Sequence, residues 1–267
     1  MNRRGNPLTG PGRRSFFSLV DIILFALDAR IPDTSIRVAR RYLRPRKFVY
    51  VLTRVDLANP AATRDWIAAL ERQGKPAFAV QANTGEGMQN LLTFLAGERE
   101  KMNRSRPAGV LQKPLRLMVF GLPNVGKSSI INRLAGRVRA PAGGKPGLTR
   151  GIHWIRCGEK LLLLDTPGVL EPGTVKGDTL MALAATGAIP ETRYDPVEVA
   201  LWLMERVART AVAQKPGLVL LEEFGRETGQ MKKGGEIDLS RAAQLYLARF
   251  RKGEFGAFTL EMPHSIS

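Results

Sequence analysis

The segment Gly121–Ser128, with the sequence GLPNVGKS, has residue types and spacing suited to holding phosphate groups. Its glycines let successive backbone N–H groups turn inward around an anion without a Cβ clash. Lys127 would reach the outer phosphates, and the Ser128 hydroxyl is a suitable ligand for Mg²⁺. An apolar run precedes the segment and a stretch of helical period follows it, so the pattern predicts a strand, a phosphate-binding loop and a helix. The residues predicted to contact a nucleoside triphosphate here are Asn124, Val125, Gly126, Lys127, Ser128 and Ser129.

Two later segments add groups for a metal ion and for the terminal phosphate. Asp165 follows the apolar run Leu161–Leu164 and would place its carboxylate beside Mg²⁺, through a water molecule. Three residues on, the Gly168 N–H could face the terminal phosphate, a contact that hydrolysis would release. Thr149, in a loop rich in Gly and Pro, could give Mg²⁺ a second hydroxyl. The predicted metal ligands are therefore Ser128, Thr149 and Asp165.

Two earlier segments have the side chains needed to recognise guanine. Asp56, just after the apolar run Phe48–Leu52, could accept hydrogen bonds from guanine N1–H and N2–H₂, an arrangement that adenine does not offer. Arg54 could lie against the base, and the Ala82 N–H could reach guanine O6. The predicted base-contacting residues are Thr53, Arg54, Asp56, Gln81, Ala82 and Asn83.

Each of these short segments is common in unrelated proteins, and an Asp after a strand often only caps a helix. All of them, however, follow predicted strands, and α/β sheets bind ligands at the carboxyl ends of their strands. The apolar runs predict strands at Asp21–Leu27, Phe48–Leu52, Ala77–Gln81, Leu115–Phe120, Ile152–Arg156 and Leu161–Leu164. Helical patterns lie between several of them, at Ser35–Leu43, Ala61–Gln73, Met88–Leu95 and after Lys127. The pattern predicts an α/β fold, a mostly parallel sheet with helices on both faces.

Beyond about Pro172 the pattern changes from strands to helices. Helices are expected at Thr179–Ala188, Pro196–Thr210, Pro216–Phe224 and Leu239–Arg251, followed by an extended tail at Phe255–Met262. We therefore predict a nucleotide-binding domain over residues 1–174 and a small helical domain over 175–267. Pro32 is expected to end regular structure, and the polar stretch Gly97–Pro114 is interpreted as a linker within the first domain.

The order of the segments is unusual. The base-reading segments at 53–56 and 81–87 precede the phosphate loop, Thr149 and Asp165–Gly168, whereas ordinary GTPases have the reverse order. A sheet whose natural ends lie close together tolerates such a circular permutation. The stretch Gly97–Pro114 would then join the old ends.

With these motifs the sequence resembles the circularly permuted GTPases of the YlqF/RbgA family over nearly its whole length. The similar segments are VDIILFALDARIP at 20–32, TRVDL at 53–57, GLPNVGKSSIINRL at 121–134, PGLTRGIHWI at 146–155, LLLLDTPGVL at 161–170 and LAATGAIP at 183–190. The resemblance implies a cytoplasmic GTPase, with GTP and Mg²⁺ as ligands, that assists assembly of the large ribosomal subunit and binds rRNA through its helical domain.

The resemblance also bears on catalysis. It implies that Asn124 goes with a K⁺ ion near the phosphates. Together with the residues expected at the phosphates and Mg²⁺, this gives the predicted catalytic residues Lys127, Asn124, Thr149 and Gly168. Many GTPases have a water-orienting Gln after the glycine that corresponds to Gly168, whereas this chain, like the family, has a hydrophobic residue, Val169. The family's N-terminal Trp-Phe-Pro-Gly-His-Met segment is replaced here by MNRRGNPLTGPG. The usual Asn-Lys-x-Asp appears as Thr53-Arg54-Val55-Asp56, so we expect a guanine preference with weaker affinity.

Composition restricts the partners. The 267 residues include 41 Lys and Arg against 24 Asp and Glu, a formal net charge of +17 that favours a polyanionic partner such as nucleic acid. Candidate phosphate contacts are the cluster Arg37–Lys47, the pair Lys232-Lys233 and the group Arg249, Arg251 and Lys252. The single cysteine suits a reducing cytoplasm, and no apolar run is long enough to cross a bilayer, so no stable membrane association is expected.

Three functions remain open at this point. The first is a slow GTPase switch in ribosome assembly that the ribosomal subunit stimulates. The second is a P-loop enzyme with another phosphate acceptor, such as a nucleotide-dependent kinase, against which the base-reading segments argue. The third is a nucleotide-gated RNA-binding module with little or no turnover. A turnover assay separates the first from the third, and competition by ATP separates the first from the second.

Overall fold

The molecule is built on a sheet formed by the six apolar runs. The structure is a computed structural model and describes residues 16–40, 47–104, 106–107, 110–136, 153–165, 172, 174–208 and 215–263. The strands are β1 (Ile22–Asp28), β2 (Phe48–Thr53), β3 (Ala77–Ala79), β4 (Leu115–Gly121), β5 (His153–Cys157) and β6 (Leu161–Asp165). Their order across the sheet is β3-β2-β1-β4-β6-β5. Neighbouring strands are parallel except β5, which is antiparallel to β6.

Strand β1 lies in the middle of the sheet and organises the site. All seven of its residues are buried, and since successive side chains point to opposite faces, both faces of the sheet must be covered here. Near the end of β1, Ala26 pairs with Gly121 of β4, and Asp28 pairs with Thr53 of β2. The strand order reverses direction between β1 and β4, which is where a ligand crevice forms in such sheets.

The helices differ from the predicted ones mainly at their ends. They are α1 (Pro32–Arg40), α2 (Pro60–Arg72), α3 (Met88–Arg104), α4 (Lys127–Ala135), α5 (Gly177–Ala185), α6 (Pro196–Ala208), α7 (Gly217–Glu227) and α8 (Leu239–Lys252). The expectation that Pro32 ends regular structure is wrong, because Pro32 is the first residue of α1. The fixed φ of proline suits that position, where its missing N–H has no partner to lose.

The linker interpretation of Gly97–Pro114 is also wrong in its first half, because α3 continues for two further turns to Arg104. Glu98 lies in this added part, where it is buried and its carboxylate contacts Lys47 and, at 3.1 Å, Lys101 one turn along the helix. The contact with Lys47 joins residues far apart in the sequence, so local periodicity does not indicate it. The connection between the ends of the unpermuted fold, which the sequence predicted at Gly97–Pro114, is therefore limited to the residues after Arg104.

The sheet and the C-terminal helices meet at the end of β1. Asp28 and Arg30 form a buried ion pair of 2.7 Å, and the Arg30 guanidinium lies over the Phe250 ring of α8, 5.5 Å from its centre. The C-terminal tail crosses the same region: the Leu260 N–H donates to the Arg30 carbonyl at 2.8 Å, and the Trp66 indole N–H of α2 donates to the Glu261 carbonyl at 2.8 Å. The C-terminal tail, which the sequence predicted as extended over Phe255–Met262, therefore lies as a strap across the carboxyl ends of the strands.

Cys157 at the end of β5 is buried, and burial raises the pKa of its thiol. In the part of the chain that the structure describes, no helix is both long and apolar enough to cross a bilayer.

Candidate nucleotide-binding site

The phosphate loop connects β4 to α4, as the sequence predicts. At Gly121 the backbone φ is +156°, and an added Cβ would lie 2.4 Å from the Ala26 carbonyl oxygen, so no side chain fits between β1 and β4 here. At the other end of the loop, Gly126 is the N-cap of α4 and supplies no side chain to its first N–H groups. The positive end of α4 therefore faces the loop without a capping oxygen, which suits an incoming phosphate.

Lys127 is the first residue of α4 and folds back over the loop. Its Nζ donates to the Leu122 carbonyl at 2.5 Å, and burial lowers the pKa of its ammonium group to about 8. A phosphate beside Nζ would favour the charged form and offset the loss of hydration. Ser128 follows in the first turn with an exposed side chain, so its hydroxyl is accessible to a phosphate-bound Mg²⁺. The donors present at this loop fit a nucleotide polyphosphate with its metal ion.

The end of β2 is tied to the phosphate loop. The buried Thr53 hydroxyl lies 2.9 Å from the Leu27 carbonyl oxygen and also contacts the Val125 carbonyl. Next to it, Arg54 donates from Nε at 3.0 Å and from Nη2 at 2.8 Å to the Asn124 carbonyl. The two residues that replace the usual Asn-Lys pair therefore brace the loop, a role that the sequence alone did not predict for them.

A cleft of about 100 Å³ opens between the ends of β2 and β3 and the start of α4. Asp56 is exposed at this cleft, in the 3-10 turn Val55–Leu57. The cleft brings together all six predicted base-contacting residues with Val80, which the sequence analysis did not select. Its lining residues are Thr53, Arg54, Asp56, Val80, Gln81, Ala82, Asn83, Gly126 and Ser129.

The loop after β3 forms the far wall of this cleft. It is closed by backbone hydrogen bonds between Gln81 and Glu86 and by a 2.8 Å bond from the Gly85 N–H to the Gln81 carbonyl. Arg133 of α4 donates from Nη2 to the Thr84 carbonyl at 2.6 Å and packs against Gly85. Sequence reasoning missed Arg133, because only the fold brings α4 against this loop.

The remaining predicted residues lie at the β6 side of the site. Asp165 is the last residue of β6, which pairs with β4, and its register partner on β5 is His153. The Asp165 side chain, Thr149 and Gly168 lie outside the described residues. Their predicted roles toward Mg²⁺ and the terminal phosphate therefore stay predictions.

A phosphate loop and a base cleft, built from separate chain segments at the carboxyl edge of a mostly parallel sheet, define a P-loop nucleotide-binding protein. The chain is 34% identical over 260 residues to ribosome biogenesis GTPase A of Priestia megaterium, covering 92% of this chain and 90% of that protein. It is 31% identical over 261 residues to ribosome biogenesis GTPase A of Bacillus pumilus, covering 92% of each chain. The chain belongs to the ribosome biogenesis GTPase A family, as its motifs predicted, and is a GTPase.

Comparison of folds gives the same result. YlqF from Thermotoga maritima in its GNP-bound form matches with a TM-score of 0.72 at 26% identity, covering 93% of this chain and 95% of that one. Residues 116–225 match the family described as 50S ribosome-binding GTPase. The permuted P-loop GTPase fold with helices at its C-terminus is thereby confirmed.

Proposed function

We propose that this protein is a GTP-hydrolysing switch that assists assembly of the large ribosomal subunit by binding rRNA in a nucleotide-dependent way. The observation that carries the proposal is the convergence of residues 53–56, 80–83 and 121–129 on one edge of the sheet, where guanine and phosphate can be bound together. The names of the relatives, the 50S ribosome-binding description of the matching family and the +17 charge support a ribosomal partner.

In this mechanism Asp56 selects guanine, because its carboxylate can accept hydrogen bonds from N1–H and N2–H₂ together, and adenine lacks that pair of donors. Lys127 and the N-terminal N–H groups of α4 bind the phosphates and stabilise charge that develops during hydrolysis. Ser128, Thr149 and Asp165 would hold Mg²⁺, which supplies charge neutralisation when bound. Asn124 would orient a K⁺ ion, and the Gly168 N–H would release its contact once the terminal phosphate leaves.

We further propose that residues 1–174 form the GTP-binding domain and that 175–267 form an RNA-binding helical domain. Helices α6, α7 and α8 pack on one another around Leu203, Leu221 and Leu247, which supports a helical unit after the sheet. Lys232 and Lys233 are exposed at the turn between α7 and α8 and are suited to phosphate contact. Ribosome assembly and the single cysteine favour a cytoplasmic location.

The test is GTP hydrolysis in K⁺ buffer with and without purified large ribosomal subunits, with Lys127→Ala as the control. We expect the subunits to stimulate turnover of the unaltered chain, the variant to lose at least about 100-fold because a phosphate-binding charge is removed, and ATP not to be hydrolysed. Stimulated ATP hydrolysis at a similar rate would contradict guanine specificity and favour a different P-loop enzyme.

A further inference from the structure

The C-terminal end of α5 is held by side chains from three other parts of the chain. The last carbonyls of a helix have no partner within the helix. In α5 the turn that follows gives backbone donors to Leu183 and Ala184, and side chains give further ones. Arg251 of α8 donates to the Ala184 carbonyl at 2.9 Å and to the Ala185 carbonyl at 3.2 Å. Arg30 reaches the Thr186 carbonyl at 3.5 Å, and the Asn124 side-chain amide donates to the Gly187 carbonyl at 2.7 Å. One helix end thus contacts the phosphate loop directly.

Asn124 is the residue of the phosphate loop that needs such support. Its φ is +58°, in the left-handed region that costs free energy for a residue with a side chain. From the base side, Arg54 donates twice to its carbonyl, at 2.8 and 3.0 Å. From the helical side, the Gly187 carbonyl accepts from its amide. Hydrogen bonds from both sides therefore hold this strained backbone, and with it the loop that must surround the phosphates.

Arg251 is itself fixed in place, which lets it act as a brace. Besides the two α5 carbonyls, its Nη2 contacts the Tyr194 hydroxyl at 2.7 Å and its Nη1 contacts Glu191 at 3.2 Å. Its side chain is 24% exposed, so these bonds are partly shielded from water. The expectation that Arg251 contacts RNA phosphate does not agree with this geometry, because its guanidinium is occupied inside the protein.

We propose that Arg251 is a positioning residue for nucleotide binding: it caps α5, holds the Gly187 carbonyl against Asn124, and so keeps the phosphate loop in its binding geometry. This inference rests on nucleotide binding at the phosphate loop. It means that α8 affects nucleotide affinity through the Gly187 carbonyl, which contacts the phosphate loop.

The test compares Arg251→Ala with Arg249→Ala, a matched variant on the same helix that removes an arginine paired with Glu254. GDP affinity is measured with a fluorescent analogue, and circular dichroism and thermal melting confirm that each variant is folded at the assay temperature. We expect R251A to bind GDP about fivefold more weakly, the size of one hydrogen bond, and R249A to match the unaltered chain. Equal affinity of R251A and the unaltered chain would overturn the proposal.

A double-mutant cycle separates positioning from general support. Asn124→Gly removes the amide but accommodates the positive φ. In that background we expect R251A to have no further effect on GDP affinity, because its route to the phosphate loop is gone. A second fivefold loss there would show that Arg251 acts by another route.

If R251A is unfolded, Arg251→Lys is measured instead, because it keeps the charge but cannot span two carbonyls. A loss of GDP affinity in R251K that disappears with Asn124→Gly supports the proposal, and unchanged affinity contradicts it. A failure of the unaltered chain to bind GDP would instead count against the proposed function, so the two failures are distinguishable.

Discussion

Lys127 links nucleotide binding to pH. In the nucleotide-free protein, burial lowers the pKa of its ammonium group to about 8, and phosphate bound beside it raises that pKa again. Binding therefore takes up a proton when the pH is above the pKa of the free protein and takes up none below it. Nucleotide affinity is expected to be constant below about pH 8 and to fall above it, at a limiting rate of about tenfold for each pH unit.

This is checked by measuring the GDP dissociation constant across the range on both sides of that pKa. Lys127→Arg keeps its charge throughout and should bind with a much flatter profile, while Lys127→Ala shows only the dependence that the nucleotide itself brings. If the GDP dissociation constants of the unaltered chain and of K127A changed with pH in parallel, Lys127 would not be the cause of the pH dependence.

At the scale of residues, local chemistry could be predicted and the long-range partners could not. The phosphate loop and Asp56 follow from residue type and spacing, because a short contiguous segment defines the binding chemistry. The contacts of Arg54 with Asn124, and of Asn124 with Gly187, join residues 70 and 63 positions apart. Nothing in the local sequence indicates which carbonyl such a donor reaches.

At the scale of elements, all six strands were predicted because their buried apolar runs are bounded by turn residues. The helix ends were less predictable. The part of α3 that continues to Arg104 contains a buried carboxylate, Glu98, that pairs with Lys47 just before β2, and α1 starts at Pro32 shortly after the end of β1. Tertiary contacts decided the boundaries, whereas periodicity decided that the elements exist.

The tail strap gives a prediction at this scale. The Trp66 indole N–H donates to the Glu261 carbonyl at 2.8 Å, and Trp66 is only 1% exposed. Trp66→Phe keeps an aromatic ring, but it removes part of a buried indole and leaves that carbonyl without its donor, so we expect a loss of about 1–3 kcal/mol in the free energy of unfolding. Urea denaturation followed by circular dichroism measures it.

Trp202→Phe is the comparison variant, on a half-buried indole that also lies against the Arg206 guanidinium, 3.8 Å from its ring centre. Its indole donates to Asp178 over the same 2.8 Å, but the Asp178 side chain is 77% exposed and can bond to water instead. We expect this variant to lose less than W66F. Equal losses in the two variants would mean that removing the indole ring, rather than the buried hydrogen bond, accounts for the effect.

At the scale of the whole molecule, the +17 charge predicts a strongly salt-dependent affinity for RNA. Lys232 and Lys233 are exposed at the turn between α7 and α8, whereas Lys215 at the start of that region pairs with Glu223 at 2.7 Å. Replacing both lysines of the turn by Ala should weaken binding to purified large-subunit rRNA. The slope of log affinity against log salt should become shallower by about 0.7–0.9 for each RNA phosphate that is no longer neutralised.

Lys215→Ala serves as the comparison, since its charge is already compensated by Glu223. The measurement is filter binding or fluorescence anisotropy over a series of KCl concentrations. An unchanged slope after removal of Lys232 and Lys233 would place the RNA contacts elsewhere, the cluster Arg37–Lys47 being the next candidate. Within that cluster Arg37 already pairs with Asp33 at 2.8 Å.

The division into a GTP-binding domain and an RNA-binding domain stays a prediction. A change in slope on removing Lys232 and Lys233 would support RNA binding by the second domain.

Cys157 at the end of β5 makes the molecule convenient for spectroscopy. The chain has this one cysteine, it is only 7% exposed, and burial raises the pKa of its thiol, so little reactive thiolate is present at neutral pH. A maleimide dye added at neutral pH will therefore react with a cysteine engineered at an exposed position well before it reaches Cys157. With two engineered cysteines, one on the sheet and one on the C-terminal helices, labelled by a donor and an acceptor dye, the distance between them can then be followed by fluorescence without first removing the native thiol.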